Sequence, residues 1–193
     1  MRAAPVTLSG TSTRATSLPG PTSMRTGSAA GFVLSGRLRR GVHGAAGEIG
    51  HVPVDPAGPL CSCGQRGCLE LTAAASALTA AWPTDGGLSP AAALFGAASS
   101  GDSRAVAVRD HFAARVADAI RMLGLSVDPA VIVLGGGVTD LGEPLLAAVT
   151  AAVRAQAVTS PFLAAINLAD RVRLLPAGVP AAAIGAAMIW DAR

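Results

Sequence analysis

All three cysteines of the chain and one of its three histidines fall inside residues 51–68, in the run His51-Val-Pro-Val-Asp-Pro-Ala-Gly-Pro-Leu-Cys61-Ser-Cys63-Gly-Gln-Arg-Gly-Cys68. Three thiolates and an imidazole make up one closed tetrahedral zinc site, and a site of that kind contributes folding free energy directly. Gly64 and Gly67 stand between the second and third cysteines, where a turn tight enough to gather three sulfurs needs residues tolerant of positive φ. The spacing, C-x-C-x4-C with the histidine ten residues upstream, is not that of a common zinc finger. Two other readings are a disulfide with one spare thiol and a redox or nucleophilic cysteine. An odd cysteine count suits a disulfide scaffold poorly, and Cys61 and Cys63 are too close along the chain to pair easily.

The remaining composition narrows the class. With 193 residues and 51% hydrophobic content, the chain has material for one domain with a proper core. Its net charge of +3 comes entirely from arginine, since lysine is absent, and Arg37, Arg39 and Arg40 are the one dense basic cluster. That pattern reads as a bias in base composition rather than a nucleic-acid surface. With 3% aromatic residues and no tyrosine, stacking platforms for single strands are missing too. The alanine-rich stretches are broken by Arg, Asp or Pro at short intervals, so no membrane span is expected. The N-terminus carries no continuous apolar stretch of the signal-peptide kind, and metal-binding thiols need reducing conditions. A cytoplasmic location is expected.

Residues 1–25 are rich in Ser, Thr, Pro, Ala and Gly without apolar periodicity, and read as a disordered or unrelated leader with no helix-turn-helix pattern for DNA. Beyond them, Gly31 to Leu38 reads as two short strands around a Ser35-Gly36 turn, and Ile49 to Val54 as another strand. A helix is expected over Leu69–Ala81, stopped before Pro83, and a second opens at Ser89-Pro90. Between Ser103 and Leu123 the apolar residues Val108, Phe112, Val116, Ile120 and Leu123 recur at helical spacing. Asp128 to Leu134 reads as a buried strand running into Gly135-Gly136-Gly137. A helix over 141–157, a strand over Val172–Leu175 and an apolar helix over 180–190 complete an α/β or α+β pattern.

Gly44-Ala-Ala-Gly47-Glu48-Ile-Gly50-His51, followed by Cys61-x-Cys63-Gly-x-x-Gly67-Cys68-x-Glu70, closely resembles the signature of the ROK family of sugar-responsive repressors and sugar kinases. Thr26-Gly27-Ser-Ala-Ala-Gly31, which looks like a degraded phosphate loop, extends the resemblance. So do Asp128-Pro-x-x-Ile-Val-Leu-Gly-Gly-Gly137 and Ala183-Ile-Gly-Ala-Ala187, so that it covers residues 26–193. It implies an α/β fold, one ribonuclease-H-like lobe of the actin-like ATPase type with a structural zinc loop. Under it His51, Cys61, Cys63 and Cys68 hold Zn²⁺, and Glu48, His51 and Glu70 bind a hexose or N-acetylhexosamine. His51 then gives one ring nitrogen to zinc and the other to a sugar hydroxyl. Thr26, Gly27, Gly135, Gly136 and Gly137 would face ATP. Taken alone, three glycines after a strand are a structural turn, and His43 and His111 are surface or packing residues.

The resemblance also implies features that these residues lack. An Asp-x-Gly-x-Thr phosphate motif and an Asn-Asp pair bearing the general base do not occur, because every aspartate lies at or beyond Asp55. Ala29 and Gly31 stand at the second and third loop glycines with Ser28 in place of isoleucine, which weakens the ATP assignment. The expectation is a zinc-stabilised sugar-binding lobe from a sugar-responsive transcriptional regulator, without kinase turnover. Leu69 and the Val54-to-Cys61 stretch favour the regulator branch. A truncated ATP-dependent sugar kinase is the alternative, and a zinc-dependent structural or interaction module the third. Helix 180–190 would normally pack on an N-terminal lobe, so self-association is expected in its absence.

Overall fold

The computed structural model describes residues 5–9, 28–176, 178 and 179. The hairpin read from the sequence is present: β2 (Ala29–Leu34) runs antiparallel to β3 (Arg37–Arg39), with Val33 opposite Leu38. Ser35 and Gly36 both take positive φ, 54° and 74°, the handedness that a two-residue turn needs to match the strand twist. On the other side of β2 lies β1 (Pro5–Ser9), antiparallel, with Thr7 opposite Gly31. The far edge of β1 pairs in parallel with β4 (Val131–Gly135), and β4 in parallel with β5 (Val172–Leu174). The sheet order is β3-β2-β1-β4-β5.

Pro5–Ser9 corrects the expectation of a leader without structure over 1–25. Its partners are 20 or more positions away along the chain, and five residues set among Ser, Thr, Gly and Pro carry too little pattern to announce a strand.

Six helices accompany the sheet among the described residues: α1 (Glu70–Ala73), α2 (Ala75–Ala81), α3 (Pro90–Ser99), α4 (Ser103–Val127), α5 (Glu143–Ala157) and α6 (Pro161–Ile166). The expected helix over Leu69–Ala81 is broken in two at Ala74, which is extended (φ −89°, ψ 161°). Ser89 opens α3 as expected, its hydroxyl accepting from the Ala92 N–H at 3.2 Å with Pro90 in the first turn. The Asp102 carboxylate caps α4 through the Ala105 N–H at 2.8 Å. At the other end Asp128 turns the chain into β4 in a left-handed conformation.

Phe112, Ile120 and Leu123 of α4 are buried and Val108 and Val116 half-buried, so the helical spacing marked the inward face. Phe112, Ile120, Val108 and Val116 meet Leu94 and Phe95 of α3, Leu145 and Val149 of α5, and Ile132 and Leu134 of β4 in one core, while Leu123 packs with Ala30, Phe32 and Ile49 under β2. Helix α6 was not read from the sequence. The expected apolar helix over 180–190 lies outside the described residues. Among those described, no helix is long and apolar enough to cross a membrane.

Candidate functional site

Ile49–Val54, read from the sequence as a strand, instead opens with a 3₁₀ turn over Ile49–His51. The cause is close packing on β2. The Gly47 carbonyl accepts from the Ala30 N–H at 2.7 Å, and a Cβ on Gly47 or Gly50 would sit 1.8 Å from the Ala30 carbonyl oxygen or 2.1 Å from that of Ser28. The Glu48 and Ile49 carbonyls are taken by the N–H groups of His51 and Val52, at 3.1 and 3.0 Å, so the backbone turns instead of laddering. Glu48 and His51 thus stand at the two ends of one turn, against the sheet.

From there the chain folds back on itself twice. Leu69 N–H donates to Val52 at 2.9 Å and Val54 N–H to Gly67 at 2.8 Å. Further out, Cys61 N–H donates to Gln65 at 2.7 Å and Gly67 N–H to Pro59 at 2.9 Å. These two short ladders carry residues 61, 63 and 68 to the side chain of residue 51. Gly67 is needed at their junction: its φ is 62°, and an added Cβ would lie 1.6 Å from the Asp55 carbonyl oxygen.

The four residues singled out by spacing are brought together. One ligand atom from each of His51, Cys61, Cys63 and Cys68 lies within 4.8 Å of all the others. His51 Nδ1 is 3.7 Å from Cys61 Sγ, and Cys63 Sγ is 3.6 Å from Cys68 Sγ. Tetrahedral zinc with Zn–S bonds of about 2.3 Å places its sulfurs about 3.8 Å apart, so the donor set fits the ion in type, number and spacing. The same separation is far outside the S–S length of about 2.05 Å, and all three cysteines are free.

The thiols are electrostatically unlike one another. Burial pushes Cys68 up to about 12, helped by the neighbouring Cys63 and Cys61 sulfurs. Burial also raises Cys61, whose thiol donates to Glu70 Oε1 at 3.0 Å. Cys63 is exposed, and hydrogen bonds from the Gln65 backbone and side chain bring it down to about 6. A cation placed among them would displace protons from the two buried thiols.

Glu70 stands at the start of α1 with Oε1 3.6 Å from His51 Nδ1, so a carboxylate abuts the cluster. An added Cβ on Gly50 would be 3.3 Å from Glu70 Cβ, which measures how closely the 3₁₀ turn and α1 approach. Gly135, the last residue of β4, and the following Gly136 and Gly137 line a cavity of about 270 Å³, together with Ile49 and Leu69, the chain neighbours of Glu48 and Glu70. That cavity is mainly apolar, with Phe112, Val116 and Leu134 in its wall. Thr26 and Gly27 lie outside the described residues. His43 and His111 are exposed. Gln65, which the sequence did not single out, contacts three of the four clustered residues, His51, Cys61 and Cys63.

Across residues 22–193 the sequence matches the model of the ROK family. The chain belongs to that family. Over 138 residues it is 38% identical to the glucokinase of Halalkalibacterium halodurans, a match covering 63% of this chain and 42% of that protein. Over 126 residues it is 40% identical to the N-acetylmannosamine kinase of Citrobacter koseri, covering 64% of this chain and 42% of that one. The ROK hexokinase of Thermus thermophilus superposes with a TM-score of 0.69 at 30% identity, over 97% of this chain and 56% of that one. A ROK family transcriptional regulator, a homolog of E. coli MLC, superposes at 0.59 with 26% identity, over 88% of this chain and 40% of that one. This ROK chain therefore spans about two fifths of the length of the curated relatives it matches. Its mixed α/β fold is that of the ROK sugar kinases.

Proposed function

We propose that this ROK chain is a zinc-braced sugar-binding lobe. His51, Cys61, Cys63 and Cys68 hold a structural Zn²⁺ with no position left for water, and Glu48, His51 and Glu70 take the hydroxyls of a hexose or N-acetylhexosamine. The observation that carries the reading is the contact between the two groups: Glu70 Oε1 lies against both Cys61 Sγ and His51 Nδ1, at 3.0 and 3.6 Å. The bound ion would supply rigidity. It would fix the His51 tautomer through Nδ1, the nitrogen that faces the sulfurs, and leave Nε2 for a sugar hydroxyl. Carboxylates suit this task because each accepts two or more hydroxyl hydrogen bonds, and charge makes those bonds strong.

Within these residues the lobe binds sugar without phosphorylating it. Phosphoryl transfer needs a base on the attacking hydroxyl. Asp55, the aspartate nearest the cluster in sequence, instead uses Oδ1 to close its own turn with the Ala57 N–H. In this reading the lobe serves sugar-responsive regulation, with the fully buried Leu69 next to Glu70 in the chain. The second reading is an ATP-dependent sugar kinase, with Gly135, Gly136 and Gly137 approaching the nucleotide. It is favoured by the kinase names of the two curated relatives described above.

Calorimetry on the zinc-loaded chain with glucose, mannose, N-acetylglucosamine and N-acetylmannosamine tests the proposal. Binding of at least one sugar is expected, weakened about 10- to 100-fold in Glu48→Gln, the worth of a hydrogen bond to a charged group. No heat with any of the four, or identical binding by the variant, refutes the sugar assignment. Robust turnover with ATP in a coupled assay establishes the kinase reading instead.

A further inference from the structure

Gln65 touches His51, Cys61 and Cys63 at once. Its backbone carbonyl accepts from the Cys61 N–H at 2.7 Å. Its side-chain nitrogen Nε2 lies 3.0 Å from the His51 carbonyl oxygen and 3.5 Å from Cys63 Sγ. A primary amide has two N–H donors, so one nitrogen serves both acceptors. The amide orientation follows from its partners: a carbonyl oxygen and a sulfur are both acceptors, and turning the amide over would set oxygen against each of them. That one amide nitrogen therefore ties the His51 carbonyl to the Cys63 sulfur across the loop.

We propose that Gln65 is a positioning residue of the metal centre, which orients Cys63 and clamps the His51 turn so that the four donors converge on one ion. The inference rests on the zinc reading above. An N–H bond to a ligating sulfur draws charge away from the sulfur and tunes the metal–sulfur bond, and outer contacts of this kind are worth about 10- to 100-fold in metal affinity.

Two substitutions separate hydrogen bonding from space filling. Gln65→Leu fills similar volume with no donor. Gln65→Glu keeps the shape of glutamine but points carboxylate oxygens at both acceptors. Hydrogen bonding predicts that affinity falls in the order Gln, Leu, Glu, whereas packing alone predicts that Glu is the better substitute. Arg66→Ala is the control, since it removes a bond to the Gly58 carbonyl in the same loop without touching a ligand residue.

The measurement is zinc affinity of the full chain by competition with a chromogenic chelator, paired with the sulfur-to-cobalt charge-transfer band of the Co²⁺-loaded protein. The expected result is a loss of about 10- to 100-fold in Gln65→Leu, a larger loss in Gln65→Glu, a shifted cobalt band in both, and neither change in Arg66→Ala. Unchanged affinity and spectrum in both Gln65 variants overturn the role of Gln65 while leaving the zinc site standing. So does a loss in Gln65→Leu that Arg66→Ala reproduces with an unmoved band. A wild-type chain that takes up neither Zn²⁺ nor Co²⁺ overturns the zinc reading and this inference with it.

Discussion

Replacing Gly67 by alanine tests the metal loop at its tightest point. The residue has φ of 62°, and the new Cβ would lie 1.6 Å from the Asp55 carbonyl oxygen and 2.4 Å from its carbon, both backbone atoms that have no rotamer to escape into. The left-handed conformation costs alanine about 1 kcal/mol. Moving the Asp55 turn aside also breaks the Val54 N–H bond to the Gly67 carbonyl, 2.8 Å, and the Gly58 N–H bond to Asp55, 2.9 Å, each worth about 1 kcal/mol. The sum, about 3 kcal/mol, falls on the residue beside Cys68 and translates to a zinc affinity roughly 100-fold weaker. Gly64→Ala is the matched comparison: its φ is 93° with nothing within 4 Å of the added atom, so it bears the conformational cost alone, a loss of about 5- to 10-fold. Chelator competition at pH 7 on both variants reads the difference. Equal losses, or a Gly67→Ala protein that holds zinc like the wild type, would refute the packing argument.

Zinc uptake depends on pH with a definite sign. Cys61 and Cys68 are both raised by burial and keep their protons at neutral pH, so the ion must displace both and affinity falls about 100-fold per unit as pH drops from 8 to 6. Below about 6 the Cys63 proton joins them and the fall steepens; a flat profile between pH 8 and 5 would contradict this account. In the core, Ile120→Ala removes a fully buried side chain from α4 and costs about 3 kcal/mol. For a domain of this size that lowers Tm by roughly 6 to 12 °C in a thermal melt.

What could be read from the sequence was whatever its own neighbours determine. The β2–β3 hairpin was legible because Ser35-Gly36, residues that accept positive φ, follows the apolar run Phe32-Val33-Leu34 and precedes Arg37-Leu38. Helix α4 was legible because its inward face repeats at helical spacing. The cluster of His51, Cys61, Cys63 and Cys68 was legible because these residue types are rare in the chain and their spacing is compact. Misreadings arose where distant backbone decides. Ile49–His51 turns because β2 presses against Gly47 and Gly50, and nothing within the segment itself announces that. The break at Ala74 falls inside a run of alanines that carries no local signal of it. Gln65 escaped notice for the same reason, since an exposed glutamine in a loop has no meaning until the fold places two acceptors beside its amide.

The position of β1 bears on how the chain is divided for study. Every pairing in the sheet between the β2–β3 hairpin and the parallel pair β4–β5 runs through Pro5–Ser9. The family match begins at residue 22, after that strand. A fragment cut at the family boundary would therefore hold two separate ribbons, each with a freshly opened edge offering unpaired N–H and C=O groups to any neighbouring chain. The boundary drawn by sequence similarity thus leaves out the strand on which the two ribbons close.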